Sequence, residues 1–402
     1  MNITALQPYF NLIPAVGGVF LVSLLLTPLV GYFAEKFNFL DLPASQRDRS
    51  DPSLAQRIHT HAKPRLGALA ALIPFMFIFL TQVSINKQLF GILLGLSILI
   101  IGGIIDDKYE LSSKRQFLIQ FLSAILVVIF GTSIQAIHFA GINFNFQLFS
   151  HLFTIGQFSY NFIFPADLIT IIWIVSIINS VNWVCGIDAL GELLTVVAAI
   201  TMTMLCIKSG NLAFAILPAT LAAGILGYIP YNFPPSKIIG GTAGHTSYGY
   251  LLAVFSMLSG AKITTAIIIL LIPLIDMIWV ILYRMNKHKD IKFLKRPFVS
   301  GKVHLHHRLM SMGLNQKQVL FIETSGMAIV SVIAIYFGGF SDELIFLSIL
   351  CALIISGFTI INLRNRQVKK HLAVVDLEQK NPQEPEPPTG DDDETPEERF
   401  AY

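Results

Sequence analysis

Long apolar runs alternate with short polar or basic stretches along this chain. Eleven runs read as candidate membrane spans: 9–33, 66–85, 88–106, 117–137, 167–185, 190–208, 211–230, 246–260, 263–284, 318–338 and 342–362. An apolar helix of about 20 residues crosses the hydrocarbon core of a bilayer. The pattern therefore predicts an all-α polytopic membrane protein. The sixth to eighth runs are the most interrupted by glycine and polar residues. Between 138 and 166 the pattern changes: Phe and Ile alternate with turn residues, which predicts a short hairpin on the membrane surface. From Asp376 onward the chain is acidic, rich in proline and nearly free of apolar residues. Such a segment buries too little surface to fold, so residues 371–402 read as a disordered tail behind a membrane domain of residues 1–370.

Composition agrees with this division. The 402 residues are 54% hydrophobic and 13% charged, whereas soluble domains carry about 25% charged residues. The net charge is only +3, so its placement matters more than its size. The interval 34–65 holds six Lys or Arg, 106–116 three and 284–317 nine. Arg364, Arg366, Lys369 and Lys370 follow the last run. All of these fall on one side of the membrane, and the other side holds only Lys87, Lys208 and Lys262. Basic loops stay cytoplasmic. The N-terminus is therefore expected outside and the C-terminus in the cytoplasm. The three cysteines, Cys185, Cys206 and Cys351, show neither metal-ligand spacing nor a disulfide framework.

The polar clusters of interest all fall on the basic, cytoplasmic side. Asp106 and Asp107 close the third run, directly before a basic segment containing Lys114. Acids oppose the dipole at a helix C-terminus, and ionisable groups at a membrane edge usually serve a function. Hard cations such as magnesium favour carboxylates together with substrate phosphates. Arg57, His59 and Arg65 precede the second run, either as an ordinary basic flank or as a cationic site for a phosphate. Asn179 and Asn182 share a helix face before Asp188, where they either bond neighbouring helices or hold a sugar, uracil or phosphate. Lys302, His304, His306, His307 and Arg308 form a cationic cluster that suits a diphosphate better than zinc, because no nearby Cys or acid completes a zinc site. The stretch Ile238–Tyr250 is glycine-rich and opens a run, a weak sign of backbone approach to a phosphate.

Taken in order, these motifs resemble the bacterial polyprenyl-phosphate N-acetylhexosamine-1-phosphate transferases. The resemblance covers about residues 15–365 and rests on PRLG at 64–67, DDKYELSSK at 106–114 and NxxNxxxGxD at 179–188. It continues through GTAG at 241–244, PLIDMIWVILYR at 273–284 and HLHHRLMSMGL at 304–314. It implies transfer of a sugar-1-phosphate, GlcNAc-1-phosphate as the commonest case, from a UDP-sugar to polyprenyl (undecaprenyl) phosphate, with release of UMP. Such transfers start lipid-linked O-antigen, teichoic acid and related envelope glycans. The implied setting is the inner (cytoplasmic) membrane, with the active face cytoplasmic. The implied cofactor is magnesium (Mg2+), with manganese (Mn2+) as its substitute. Carried over, Asp106 and Asp107 would hold the metal or help deprotonate the lipid phosphate, and Asp188 would join Asn179 and Asn182 at the nucleotide sugar. His304, His306, His307 and Arg308 would meet the diphosphate or sugar, with Arg65 and Lys114 as nearby cations. No nucleic-acid partner is expected, and a homodimer is compatible with the resemblance.

The chain departs from the family pattern at acidic positions. Where the family has NxxDGxDG, Cys185 stands for the first Asp and Ala189 for the last Gly. Where the family has GDxGS, Thr242 stands for the Asp, a metal ligand in the family, and His245 for the Ser. A hydroxyl is a poorer ligand than a carboxylate for a hard cation. Help from Asp188, Thr242 or His245 would be needed to complete a metal site. Two other readings follow: a degenerate relative that binds lipid phosphate or nucleotide sugar without efficient turnover, and a transporter. Transporters usually place their charges near the membrane midplane, whereas here they gather at one edge.

Overall fold

A computed structural model describes residues 3–46, 61–139, 142–259, 263–299, 301, 303–337 and much of 349–367. Arg57, His59, Lys302, Lys369, Lys370 and the acidic tail lie outside the described residues, as does part of the predicted eleventh run. Among the described residues the architecture is mostly helical, and the strands are confined to three small antiparallel pairs.

The first helix, α1 (Ile3–Lys36), leads to the two-residue strands β1 (Leu40–Asp41) and β2 (Lys63–Pro64), which pair with each other. Next come α2 (Leu69–Gln82), α3 (Lys87–Tyr109) and α4 (Ser113–Ile129). Asn86 caps α3 by accepting from the Leu89 amide at 2.9 Å, the usual way to satisfy an orphan N–H at a helix start. Two hairpins follow: β3 (Ala136–Phe139) with β4 (Ile142–Asn145), and β5 (Gln147–Ile155) with β6 (Phe158–Pro165). The aromatic interval is thus two hairpins rather than one. Asp167 pins the second to the next helix, accepting from the Tyr160 hydroxyl at 2.6 Å and the Ile163 amide at 2.9 Å.

The remaining helices are α5 (Ala166–Val184), α6 (Leu190–Lys208), α7 (Leu212–Asn232) and α8 (Gly241–Leu258). They continue with α9 (Ile263–Ile269), α10 (Leu271–Lys287), α11 (Leu305–Ser311) and α12 (Gln316–Phe337). Among the described residues, six helices are long and apolar enough to cross a membrane: 12–36, 87–109, 166–184, 190–208, 212–232 and 316–336. The pair α9 and α10 makes a seventh if its 74° bend lies within one span. The helix α2 is apolar but shorter, at 14 residues.

The helix α8 is the centre of the bundle. It packs along α3 on one side and α5 on the other, and Ser247 through Ser256 are buried without a break. A helix buried all round must be small or apolar on every face, which accounts for its Gly, Ala, Ser and Thr positions. The contact with α3 is closest at Gly103, where a Cβ would fall 2.3 Å from the Ala243 Cα. By contrast, Leu25, Phe77, Leu282 and Val332 present apolar side chains outward, as lipid-facing positions of a membrane bundle do.

Gly103→Ala is therefore expected to lower the thermal midpoint of the detergent-purified protein, because overpacking against backbone costs about 1–3 kcal/mol. Gly17, with nothing within 4 Å of its would-be Cβ, serves as the control, and Gly17→Ala should leave the midpoint unchanged or raise it. Equal midpoints for Gly103→Ala and the parent chain would refute the close α3–α8 contact.

Candidate active site

The C-terminal ends of α3, α5, α7 and α10 meet the N-terminal ends of α4, α6 and α8 at one end of the bundle. Two adjoining polar cavities open there. The first, about 310 Å³, is lined by Gln116, Gln120, Asn179, Asn182, Trp183, Arg284 and His304, His306 and His307, among others. The second, about 360 Å³, is lined by Lys63, Arg65, Asp188, Glu192, Thr242 and His245, among others. Asn182, Cys185 and Gly186 line both, so the turn after α5 is their common wall.

The two adjacent acids diverge. Asp107 turns its carboxylate into the start of α8, where Oδ1 accepts from the Thr242 amide at 2.8 Å and Oδ2 from the Ala243 amide at 3.2 Å. A carboxylate is favoured at that end of a helix by the unsatisfied N–H groups and the dipole. The glycine-rich opening of α8, expected to offer its amides to a phosphate, thus offers two of them to Asp107. Arg65 adds charge neutralisation at 3.7 Å, and its guanidinium also bridges Asp41 at 2.5 Å and Glu110 at 3.4 Å. Asp106 instead accepts from the Leu111 amide at 2.7 Å and the Gln116 side chain at 2.8 Å, through one oxygen, Oδ1. It holds the α3–α4 turn closed beside the first cavity.

Asp188 sits in the second cavity. Both of its oxygens face Lys63 Nζ, at 3.1 and 2.8 Å, and Oδ2 also accepts from the Ser236 amide at 3.0 Å. Lys63 was not singled out from the sequence; its position just before the PRLG turn was the available signal. Asn179 donates to Gln120 at 2.7 Å, which ties α5 to α4. Lys114 is exposed on the first turn of α4, outside both cavity walls.

The histidine cluster forms the floor of the first cavity. His304 Nδ1 lies 2.8 Å from Asp276 Oδ2, and the Leu305 amide donates to Asp276 Oδ1 at 2.8 Å. Asp276 comes from α10 and is buried, so it orients the ring and the entry to α11 together. The sequence motif contained Asp276, but only its contact with His304 gives it a task. His306 is fully buried, and both of its ring nitrogens lack a hydrogen-bond partner. It stacks on His304 at 5.6 Å and lies 4.3 Å from His307, between ring centres. Gly186 makes room for it, since a Cβ there would fall 2.2 Å from His306 Nε2. Arg308 lies beneath the cavity rather than in its wall, 5.1 Å from the Trp279 ring centre. Arg284 lies 5.3 Å from the Trp183 ring centre.

Cys185, His245 and Glu192 meet where the second cavity joins the first. His245 Nε2 lies 3.0 Å from Glu192 Oε1, and the Cys185 thiol donates to the Val181 carbonyl at 3.1 Å. Glu192 is buried in the first turn of α6 and was not distinguished by any sequence motif.

Comparison with known proteins places this geometry in a family. A sequence profile of glycosyl transferase family 4 matches residues 89–260. A probable undecaprenyl-phosphate N-acetylglucosaminyl 1-phosphate transferase of Bacillus subtilis is 30% identical over 314 residues, 75% of this chain and 79% of that protein. A decaprenyl-phosphate N-acetylglucosaminephosphotransferase of Mycobacterium leprae is 26% identical over 344 residues, 75% of this chain and 77% of that protein. An undecaprenyl-phosphate alpha-N-acetylglucosaminyl 1-phosphate transferase of Yersinia pestis is 25% identical over 291 residues, covering 69% and 73%. The chain belongs to glycosyl transferase family 4.

Burial and the neighbouring rings of His307 and His304 push the His306 pKa well below the ordinary 6.5. Below that value the unfolded chain takes up the proton and the folded chain does not. The stability that neutral His306 contributes is present above about pH 6.5 and is lost as pH falls through its folded pKa. His306→Phe, which takes up no proton, should show a flatter decline in thermal midpoint between neutral and acid pH. A parallel decline in both proteins would refute the buried neutral histidine.

Proposed function

We propose that this protein transfers GlcNAc-1-phosphate from a UDP-sugar to a polyprenyl phosphate and releases UMP, as the first step of a lipid-linked envelope glycan. The observation that carries this reading is the pair of adjoining polar cavities sharing one wall at one end of an apolar bundle. The relatives are named for transfer to undecaprenyl or decaprenyl phosphate, and two phosphate-bearing substrates need two such pockets. The first cavity, with Asn179, Asn182, Trp183, Arg284 and the histidines, suits the nucleotide sugar. Trp183 offers a ring face to a base, and the amides offer donors and acceptors. The second cavity, with Lys63 and Arg65, suits the lipid phosphate. The shared wall at Asn182, Cys185 and Gly186 is where the two phosphates meet. Bringing two anions together needs alignment and charge neutralisation above all.

In this reading the chain crosses an inner membrane eleven times, with its N-terminus outside. The cavities then open to the cytoplasm, where nucleotide sugars are made, and the lipid enters sideways from the bilayer. Gathering of the polar groups at one end supports an enzyme over a transporter, whose sites usually lie near the midplane.

Magnesium was expected at the acid pair. The donor set does not fit an ion held by the protein alone. Both oxygens of Asp107 accept amides, both oxygens of Asp188 face Lys63, and Glu192 faces His245. Among the described residues, no group of three or more His, Cys, Asp or Glu side chains is arranged to hold a metal ion.

Purified full-length protein given UDP-N-acetylglucosamine and polyprenyl phosphate should release UMP and form the lipid-linked sugar. Asp107→Asn should lower that rate by about 100-fold, since it weakens the Arg65 pair and the anchor of α8 at the junction. Absence of lipid product from the parent chain, with UDP-sugar binding retained, would replace the transferase reading by that of a non-catalytic binding relative.

A further inference from the structure

Three carboxylates line the second cavity, and each already faces a basic side chain: Asp41 faces Arg65, Asp188 faces Lys63 and Glu192 faces His245. Positions 185 and 242, where the family pattern has further acids, line the same cavity and carry Cys and Thr. A hard divalent cation takes several carboxylate, carbonyl or phosphate oxygens. Placed among these acids it would sit beside Lys63 and Arg65, which are like charges. The wall offers instead a positive charge that belongs to the chain. Lys63 Nζ lies 3.1 and 2.8 Å from the two oxygens of Asp188 and 2.7 Å from Ser236 Oγ. Its backbone is set by β2, where Lys63 pairs with Asp41 of β1. With 15% of its side chain exposed, the ammonium is held at the cavity wall rather than loose in solvent. Of its partners only the Ser236 hydroxyl is neutral, and a phosphate oxygen is the stronger acceptor for an ammonium. An entering anion can therefore replace Ser236 while Asp188 keeps the ammonium in place.

We propose that the Lys63 ammonium stands where a divalent cation is expected, and that transfer by this chain needs no metal ion. This rests on the transferase reading. A phosphate oxygen of the lipid attacks the β-phosphorus of the UDP-sugar directly. A P–O bond forms as the P–O bond to UMP breaks, and the electron pair leaves on the UMP phosphate. The lipid phosphate attacks as its dianion, so no proton has to move. Lys63 neutralises the charge that gathers on the non-bridging oxygens as the two anions close, with Arg65 at the same wall. A fixed charge in a partly enclosed site is worth more than the same charge in water and costs no reorganisation during the reaction. Asp188 then does for Lys63 what a carboxylate ligand does for a metal: it holds a cation against the phosphates. The neutral side chains at 185 and 242 fit the same scheme. Further carboxylates in this cavity would draw the ammonium to themselves and cancel the charge that the phosphates need.

The test uses full-length protein in nanodiscs of zwitterionic lipid, given UDP-N-acetylglucosamine and polyprenyl phosphate. Lipid product should form in excess EDTA at a rate within about twofold of the rate in millimolar Mg2+. With Mn2+ alone as probe and no nucleotide, electron paramagnetic resonance should detect no protein-bound ion. Lys63→Gln, which keeps a polar group beside Asp188 and Ser236 but no charge, should lower kcat by about 100-fold. Lys63→Arg should recover part of that loss, which a merely structural role for the side chain would not require. Lys63→Gln/Asp188→Asn removes the pair without stranding a carboxylate, and it should be as slow as Lys63→Gln; this variant carries the test if the single one fails to fold. A parent chain that loses its rate in EDTA and regains it with Mg2+, or that binds Mn2+ stoichiometrically, overturns the proposal and leaves the transferase reading standing. Parental rates from Lys63→Gln in EDTA overturn it as well. If the parent chain makes no lipid product in either EDTA or Mg2+, the transferase reading falls and takes the proposal with it.

Discussion

The site depends on one buried contact, the carboxylate of Asp107 set into the first turn of α8. A buried charge is costly unless it is paired and hydrogen-bonded, and here two backbone amides and the Arg65 guanidinium offset part of that cost. The contact fixes more than a side chain. It joins the end of α3 to the start of α8, the most enclosed helix of the bundle, and it does so one turn from the Gly103–Ala243 approach. Arg65 then carries the restraint outward to Asp41 and Glu110, so the short β1–β2 pair and the α3–α4 turn are placed by the same guanidinium. Thr242 and His245 are positioned because the helix that bears them starts at Asp107.

From that anchor the two cavities acquire distinct characters. The histidine side is built on Asp276, which holds His304 and the start of α11 at once, and it is closed by a neutral, fully buried His306. The lysine side is built on Asp188 and Lys63, a compensated ion pair with Ser236 as a further donor. The common wall is a break between α5 and α6, where Gly186 lets a histidine ring approach and the Cys185 thiol turns back onto the Val181 carbonyl. Membership of glycosyl transferase family 4 and the character of these cavities support the same assignment of substrates.

Much of this was legible in the linear pattern. The helical membrane class, the acids at the end of α3, the paired asparagines and the histidine cluster all followed from apolar periodicity and from polar groups at its edges. The aromatic interval was recognised as strand-forming, but two hairpins emerged because Asn and Gly divide it more than once. Other features were illegible for physical reasons. Asp107 and Asp106 are neighbours in sequence, yet helical rotation sends one to α8 and the other to the α3–α4 turn, so a shared task could not be read from adjacency. Glu192 and Asp276 sit within apolar helices with no motif spacing to a partner, and their roles arise only when α6 meets α8 and α10 meets α11. Run length alone also does not tell a long straight helix from the short α2 or the bent pair α9–α10.

Two arginines are held in an unusual manner. Arg308 rests on Trp279 and Arg284 on Trp183, with Arg308 Nη1 and Arg284 Nε unpartnered in the folded chain. An indole face attracts a guanidinium through its quadrupole and uses up none of its N–H groups. The rings therefore steady two guanidinium groups by their faces, Arg284 in the wall of the first cavity and Arg308 behind it. Positive charge laid against aromatic faces gives that wall a standing potential that needs no rearrangement as an anion approaches.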